Sequence, residues 1–174
     1  MSEFIFDIET TGLDPYTDKI VGIGLLNIEN KDILKIVSKD ERKVILEFYR
    51  IIDSDDTLIG FNIRRFDIPH LKVRSIINDV PSLILNEVRI IDLVDILNGI
   101  FPNDVKQKYL RLDDWCRILN IRGDFENTGI KVAEWLDKGD IDSISKHLED
   151  DLVKTYQLLL RLKEHFKELN QLGP

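Results

Sequence analysis

The chain has 174 residues, 43% of them hydrophobic, enough for one compact domain with a full core. Its net charge of −8 argues against broad, sequence-blind adhesion to nucleic acid, and its single cysteine, Cys116, leaves no intramolecular disulfide. No apolar run approaches the ~18–20 residues of a membrane span, no leader pattern is visible and no linker or repeat divides the chain, so one cytoplasmic domain over 1–174 without a membrane partner is expected.

The opening stretch EFIFDIE reads as a short strand, apolar on both faces and therefore central to a sheet. Turn chemistry in LDPYTDK separates it from a second strand, IVGIGLLNI, and a third, ILKIVS. In DERKVILEFYRIID, helical spacing joins Val44, Ile45, Phe48, Ile51 and Ile52. TLIGF is a short strand. DIPHLKVRSIIN predicts a helix with Asp67 near its N-cap and Pro69 in the first turn, where a missing donor does no harm. EVRIIDL is a further strand. From about Leu93 the pattern is mostly helical, closing on a long helix from about Ile141 to Leu169. A strand meander followed by alternating strands and helices predicts an α/β fold, a central mixed sheet of about five strands with helices on both faces.

The carboxylates stand out against this pattern. Asp7 and Glu9 are two apart on the first strand, so they project to one face, at the carboxyl edge where open α/β sheets bind ligands. Close together they repel, unless a cation lies between them. An isolated Asp-X-Glu also serves as a cap or a solvated turn, and alone it decides nothing. On the last helix, Ile144, Leu148, Leu152, Leu159, Leu162 and Phe166 form one apolar stripe, and Asp151 falls roughly 20° from Ile144 on a ~100° per residue wheel. Glu149 and Asp150 point toward water on that wheel. A carboxylate on a buried face needs a metal or a partner such as His147, one turn earlier, or an arginine. In IGFNIRRFDIPHL, Asn62 and Asp67 bracket a helix entry, where an Asp is also an ordinary cap. Arg64, Arg65, Lys72, Arg74, Lys106, Lys108 and Arg111 read mostly as solvated charged faces, and Cys116 as a small buried apolar residue.

DIETTGL, then Asn62 and Phe66-Asp67 in GFNIRRFD, then HLEDDLVKTYQLL resemble the three exonuclease motifs of the DEDD superfamily. GFNIRRFDIPHL, RLDDWCRIL and GDIDSISKHLEDDLVKTY follow one another as their counterparts do in the proofreading exonuclease domain of family B DNA polymerases. ETTGLDP is more similar to the proofreading-subunit branch. The resemblance covers nearly the whole chain. It implies a ribonuclease H-like fold and a 3′→5′ exonuclease hydrolysing phosphodiester bonds at the 3′ end of single-stranded DNA or RNA, with DNA favoured. Two divalent cations, Mg²⁺ or Mn²⁺, would be held by Asp7, Glu9, Asp67 and Asp151. Thr10, Thr11, Gly12 and Leu13 would grip the terminal nucleotide, and Asn62 and Phe66 would line the path of the strand; Phe66 reads equally as core. Where that family carries Tyr four residues before its last Asp, this chain has His147, a competent base or water-orienting group. His70 and His165 are read as structural. Proofreading would require a polymerase or processing-complex partner. Two other readings stay open: a non-catalytic nucleic-acid-binding or scaffold subunit, and a two-metal nucleotide phosphatase.

Overall fold

A computed structural model describes residues 1–99, 110–126, 129–169 and 171; Lys106 and Lys108 lie outside the described residues. Five strands, β1 (Glu3–Thr10), β2 (Ile20–Asn27), β3 (Ile33–Val37), β4 (Thr57–Gly60) and β5 (Arg89–Asp92), form one sheet in the order β3-β2-β1-β4-β5. β1, β2 and β3 run as an antiparallel meander, whereas β4 is parallel to β1 and β5 to β4. β1 is therefore the central strand of a mixed sheet, and its carboxyl end shares an edge with those of β4 and β5. Among the described residues, six helices accompany the sheet: α1 (Glu41–Tyr49), α2 (Asp67–Ile77), α3 (Leu93–Asn98), α4 (Leu112–Ile118), α5 (Val132–Lys138) and α6 (Ile141–Lys163).

The pleat of β1 divides the core. Phe4, Phe6 and Ile8 point to one face, where they meet Val44, Ile45 and Phe48 of α1 and Ile68 and Leu71 of α2. Ile5 points to the other, toward Leu93, Leu97, Cys116, Leu152 and Leu159. Asp7 and Glu9 continue the Ile5 face. Opposite them on β2 stand Gly24 and Gly22, paired with Asp7 and Glu9 respectively. A Cβ on Gly24 would lie 2.7 Å from Leu152 and 2.9 Å from Leu148, so glycine is what lets α6 settle directly on the strand that carries the two carboxylates.

Several boundaries differ from the sequence pattern. α1 begins after Asp40, which accepts from Lys43 N at 3.1 Å, and ends at Tyr49; Ile52 still packs inward, from the turn that follows. Phe66 occupies the N-cap of α2, and Asp67 is its first residue. α6 stops at Lys163 instead of Leu169, with a short 3₁₀ turn at Lys167–Leu169 beyond it. Arg74 is not on a solvated face. It is 5% exposed and clamps the buried Glu41 through Nε (2.8 Å) and Nη2 (2.7 Å), and its Nη1 donates to Tyr16 O at 3.3 Å. The i+3 and i+4 neighbours that make a charge look solvated in sequence say nothing of what the neighbouring helix brings. Glu41 also accepts from Ile20 N, and buried His70 contacts Asp18 O at 3.0 Å, as a structural histidine would. Together these contacts fix the second half of the loop between β1 and β2. Cys116 is buried and free, and both tryptophans pack against core clusters. Among the described residues, no helix is long and apolar enough to cross a membrane.

Candidate metal-binding cleft

The end of β1 builds the first wall. Its ladder with β2 is irregular between Glu9 and Thr10, which bends the chain out of the sheet there. The turn is then closed locally: Thr10 Oγ1 donates to Gly12 O at 2.7 Å, and Lys19 N donates to Thr11 Oγ1 at 2.9 Å. A Cβ on Gly12 would fall 2.3 Å from Asp18 Oδ2, an oxygen already accepting from Asp14 N. Leu13 stands out from this turn, 82% exposed.

Asp67 approaches the same strand end from the next element. Its Oδ1 accepts the Ile8 amide at 3.1 Å, which ties the first turn of α2 to β1. The bend between β4 and α2 needs Asn62 at φ 66°, a left-handed conformation that asparagine tolerates better than most residues. Asp92, at the end of β5, holds this bend. It accepts from Asn62 N (2.8 Å), Arg64 N (2.9 Å) and Val94 N (3.0 Å). That role was hidden in the sequence, where Asp92 reads only as a residue ending a strand. Phe66 packs against the core and the His70 ring, at 5.3 Å between centroids, and it also lines the cleft.

α6 supplies the third wall. Its predicted apolar stripe is buried at Ile144, Leu148, Leu152, Leu159 and Leu162. His147 Nε2 lies 3.8 Å from Glu9 Oε1 and 3.9 Å from Asp151 Oδ2. The partner for Asp151 is a lysine, not an arginine. Lys154 is 1% exposed, and its Nζ sits 2.7 Å from Asp151 Oδ1, 2.7 Å from Asp113 Oδ1 on α4 and 3.0 Å from Asp150 Oδ2. The contact to Asp151 is a buried ion pair. Asp150 is consequently drawn inward instead of facing water, where it also accepts from Asp124 N. Glu149 is the more exposed of the two and pairs with Lys35.

All eleven site residues that the resemblance implies, Asp7, Glu9, Thr10, Thr11, Gly12, Leu13, Asn62, Phe66, Asp67, His147 and Asp151, line one cavity of about 470 Å³. It is completed by Ile8, Phe61, Arg111, Leu112 and Gly129. Arg111, read from the sequence as part of a solvated charged face, and Leu112, within the RLDDWCRIL segment, reach the cavity because α4 packs against α6.

The electrostatics follow from this crowding. Asp7 keeps part of its surface open to the cavity, yet the surrounding protein strips most of its water. Desolvation first, then Asp67, Asp151 and Glu9, push its carboxyl well above the usual range. Burial also raises Glu9, with Asp151 and Asp67 adding to it. Asp67 is pushed up to about 7, mainly by desolvation, against the Ile8 hydrogen bond that holds it down. Asp151 is raised by burial despite the opposing pull of His147 and Lys154. These groups hold protons more tightly folded than unfolded. The stability they contribute is complete below the ordinary carboxylate pKa, about 4, and is lost as pH rises through their elevated folded values, about 7 for Asp67. In chelator, the melting temperature is therefore expected to fall between about pH 5 and pH 8, and Asp67→Asn to flatten the slope. A melting temperature that climbs over that interval would contradict the repulsion.

The same features are those of a hard-cation site. Among the described residues, the buried Glu9 Oε1 has no hydrogen-bond partner. One ligand atom each from Glu9, His147 and Asp151 lie within 4.8 Å of one another. An unpaired buried oxygen among mutually repelling carboxylates suits a divalent ion better than the carboxylates suit each other.

The comparisons agree with the architecture. A family model described as the RNase_H superfamily matches residues 4–163. An uncharacterized protein of Methanocaldococcus jannaschii is 32% identical over 169 residues, spanning 91% of this chain and 93% of its own length. The family B DNA polymerase of Pyrobaculum calidifontis matches 94% of this chain with a TM-score of 0.76 and 22% identity, and this chain spans 24% of that polymerase. E. coli exonuclease I in complex with a dA16 oligonucleotide matches 98% with a TM-score of 0.66 and 12% identity, and this chain spans 42% of it. At such identities the two structures share the fold. The fold is the ribonuclease H-like one that the motifs implied, and the chain belongs to the RNase_H superfamily.

Proposed function

We propose that this protein is a metal-dependent 3′→5′ exonuclease acting on single-stranded 3′ ends, DNA in preference to RNA, as one catalytic domain in the cytoplasm. One observation carries the reading: carboxylates from β1, α2 and α6 line a single cleft in which Glu9 Oε1 lacks a hydrogen-bond partner and ligand atoms of Glu9, His147 and Asp151 lie within 4.8 Å of one another. Asp7, Glu9, Asp67 and Asp151 would hold two divalent cations, Mg²⁺ or Mn²⁺. When bound, such a pair supplies positive charge at the scissile phosphate and at its attacking and leaving oxygens. His147 Nε2, between Glu9 and Asp151, orients the attacking water and accepts its proton. The closed turn from Thr10 to Gly12 presents its backbone to the terminal nucleotide, and exposed Leu13 wedges against the last bases. Asn62 and Phe66 line the path of the strand, where an aromatic face stacks on any base. The likeness in fold to an exonuclease solved with a dA16 oligonucleotide supports a single-stranded substrate, and the likeness to a polymerase supports a polymerase-type partner.

The test is direct. Single- and double-stranded DNA and RNA, labelled at the 5′ end, are incubated with Mn²⁺ or with chelator. A ladder of shortened single-stranded products in Mn²⁺ alone is expected. Full-length label in every lane would overturn the reading, and release of inorganic phosphate from mononucleotides without shortening would replace it with a phosphatase.

A further inference from the structure

Resting on that reading, we infer that Lys154 is a positioning residue: it occupies the inner oxygen of Asp151 and leaves Oδ2 alone to face a cation in the cleft. Three observations converge on it. Lys154 is almost wholly buried, and its ammonium lies within 3.0 Å of carboxylate oxygens on Asp113, Asp150 and Asp151. A surface ion pair makes no such demands; here one cation is surrounded by three anions brought together from α4 and α6. The two oxygens of Asp151 are unequal. Oδ1, against Lys154, is fully buried, although the side chain as a whole is 22% exposed, whereas Oδ2 lies on the His147 side with Glu9 beyond it. Space is also reserved for the lysine: a Cβ on Gly123 would meet Lys154 Cδ at 2.6 Å and Cγ at 2.8 Å.

The arrangement has a functional consequence. A carboxylate free at both oxygens can rotate and bind a cation through one or both, and so places it loosely. With Oδ1 engaged, Asp151 presents one lone-pair direction, fixed from behind by a group that never enters the cleft. Lys154 also joins α6 to α4, whose N-terminal residues Arg111 and Leu112 line the cavity. A single side chain thereby sets both a ligand and the wall facing it.

The decisive measurement uses the wild-type protein. A crystal structure in Mn²⁺ is expected to show Asp151 ligating through Oδ2 only, with Lys154 Nζ still against Oδ1. Bidentate ligation by Asp151, or a displaced lysine, overturns the inference and leaves the exonuclease reading intact; a cleft that takes up no Mn²⁺ overturns both. In parallel, Lys154→Met is expected to lower kcat by roughly 10–100-fold with KM for the oligonucleotide unchanged, and to weaken Mn²⁺ binding in calorimetry by a similar factor. Lys154→Arg is expected to restore part of both. A folded Lys154→Met enzyme with wild-type kcat and Mn²⁺ affinity overturns the inference; should that variant not fold, the wild-type Mn²⁺ structure decides.

Discussion

Asp7→Asn is expected to abolish exonuclease activity, by at least about 10³-fold, while making the chelated protein more stable at neutral pH. Asp7 occupies the point where three walls meet, in the field of Asp67, Asp151 and Glu9. Its charge serves only when a cation is present. Without one it repels its neighbours, so an isosteric amide relieves the repulsion and keeps the strand pairing with Gly24. Metal linkage supplies the second half of the test. At a Mn²⁺ concentration about 100 times its Kd, the wild-type protein should gain roughly 2.7 kcal/mol, or about 5–10 °C in Tm for a domain of this size. Asp7→Asn should gain far less. Thermal melts with Mn²⁺ and with chelator, paired with the oligonucleotide assay, separate the two effects: a variant that is destabilised in chelator would mean that Asp7 has a structural partner.

Asp92→Ala should be the most damaging change outside the cleft, although Asp92 touches none of the proposed chemistry. It is 3% exposed and accepts three backbone amides, those of Asn62, Arg64 and Val94. Removing the carboxylate leaves these donors without partners, at about 1–3 kcal/mol for each that stays buried, so a loss of roughly 3–5 kcal/mol is expected. The bend at Asn62, held at a positive φ, would lose its support, and Asn62, Phe66 and Asp67 would shift together. Asp92→Asn keeps one acceptor oxygen and should lose about half as much. Denaturant titration measures the stability, and activity well below the midpoint reports the bend. A loss of less than about 1 kcal/mol would mean that water replaces the carboxylate.

Local periodicity made much of the cleft legible beforehand. Asp7 and Glu9 share a face because strand side chains alternate, and β1 is observed at the sheet centre with both directed toward α6. Asp151 falls beside the apolar stripe because a helix repeats every 3.6 residues, and its neighbours Leu148 and Leu152 are fully buried. Asn62, Phe66 and Asp67 came from a motif read in order, and they line the same cavity. The errors share one physical origin. Arg74 and Asp150 look solvated on their own helices, yet Arg74 is claimed by Glu41, distant in sequence, and Asp150 by Lys154, one turn on along α6, which Asp113 of α4 helps to hold inward.

What the sequence by itself determined is the set of elements and the face on which each charged residue projects, because both depend on steric rules acting over a few residues. What only the tertiary structure decided is which charges meet. The approach of α6 over Gly22 and Gly24, the clamp of Lys154 between α4 and α6, and the grip of Asp92 on the Asn62 bend all join residues more than twenty positions apart, or elements whose packing no local pattern encodes. Electrostatic interaction depends on distance through space and on burial, and those two quantities exist only once the chain has folded.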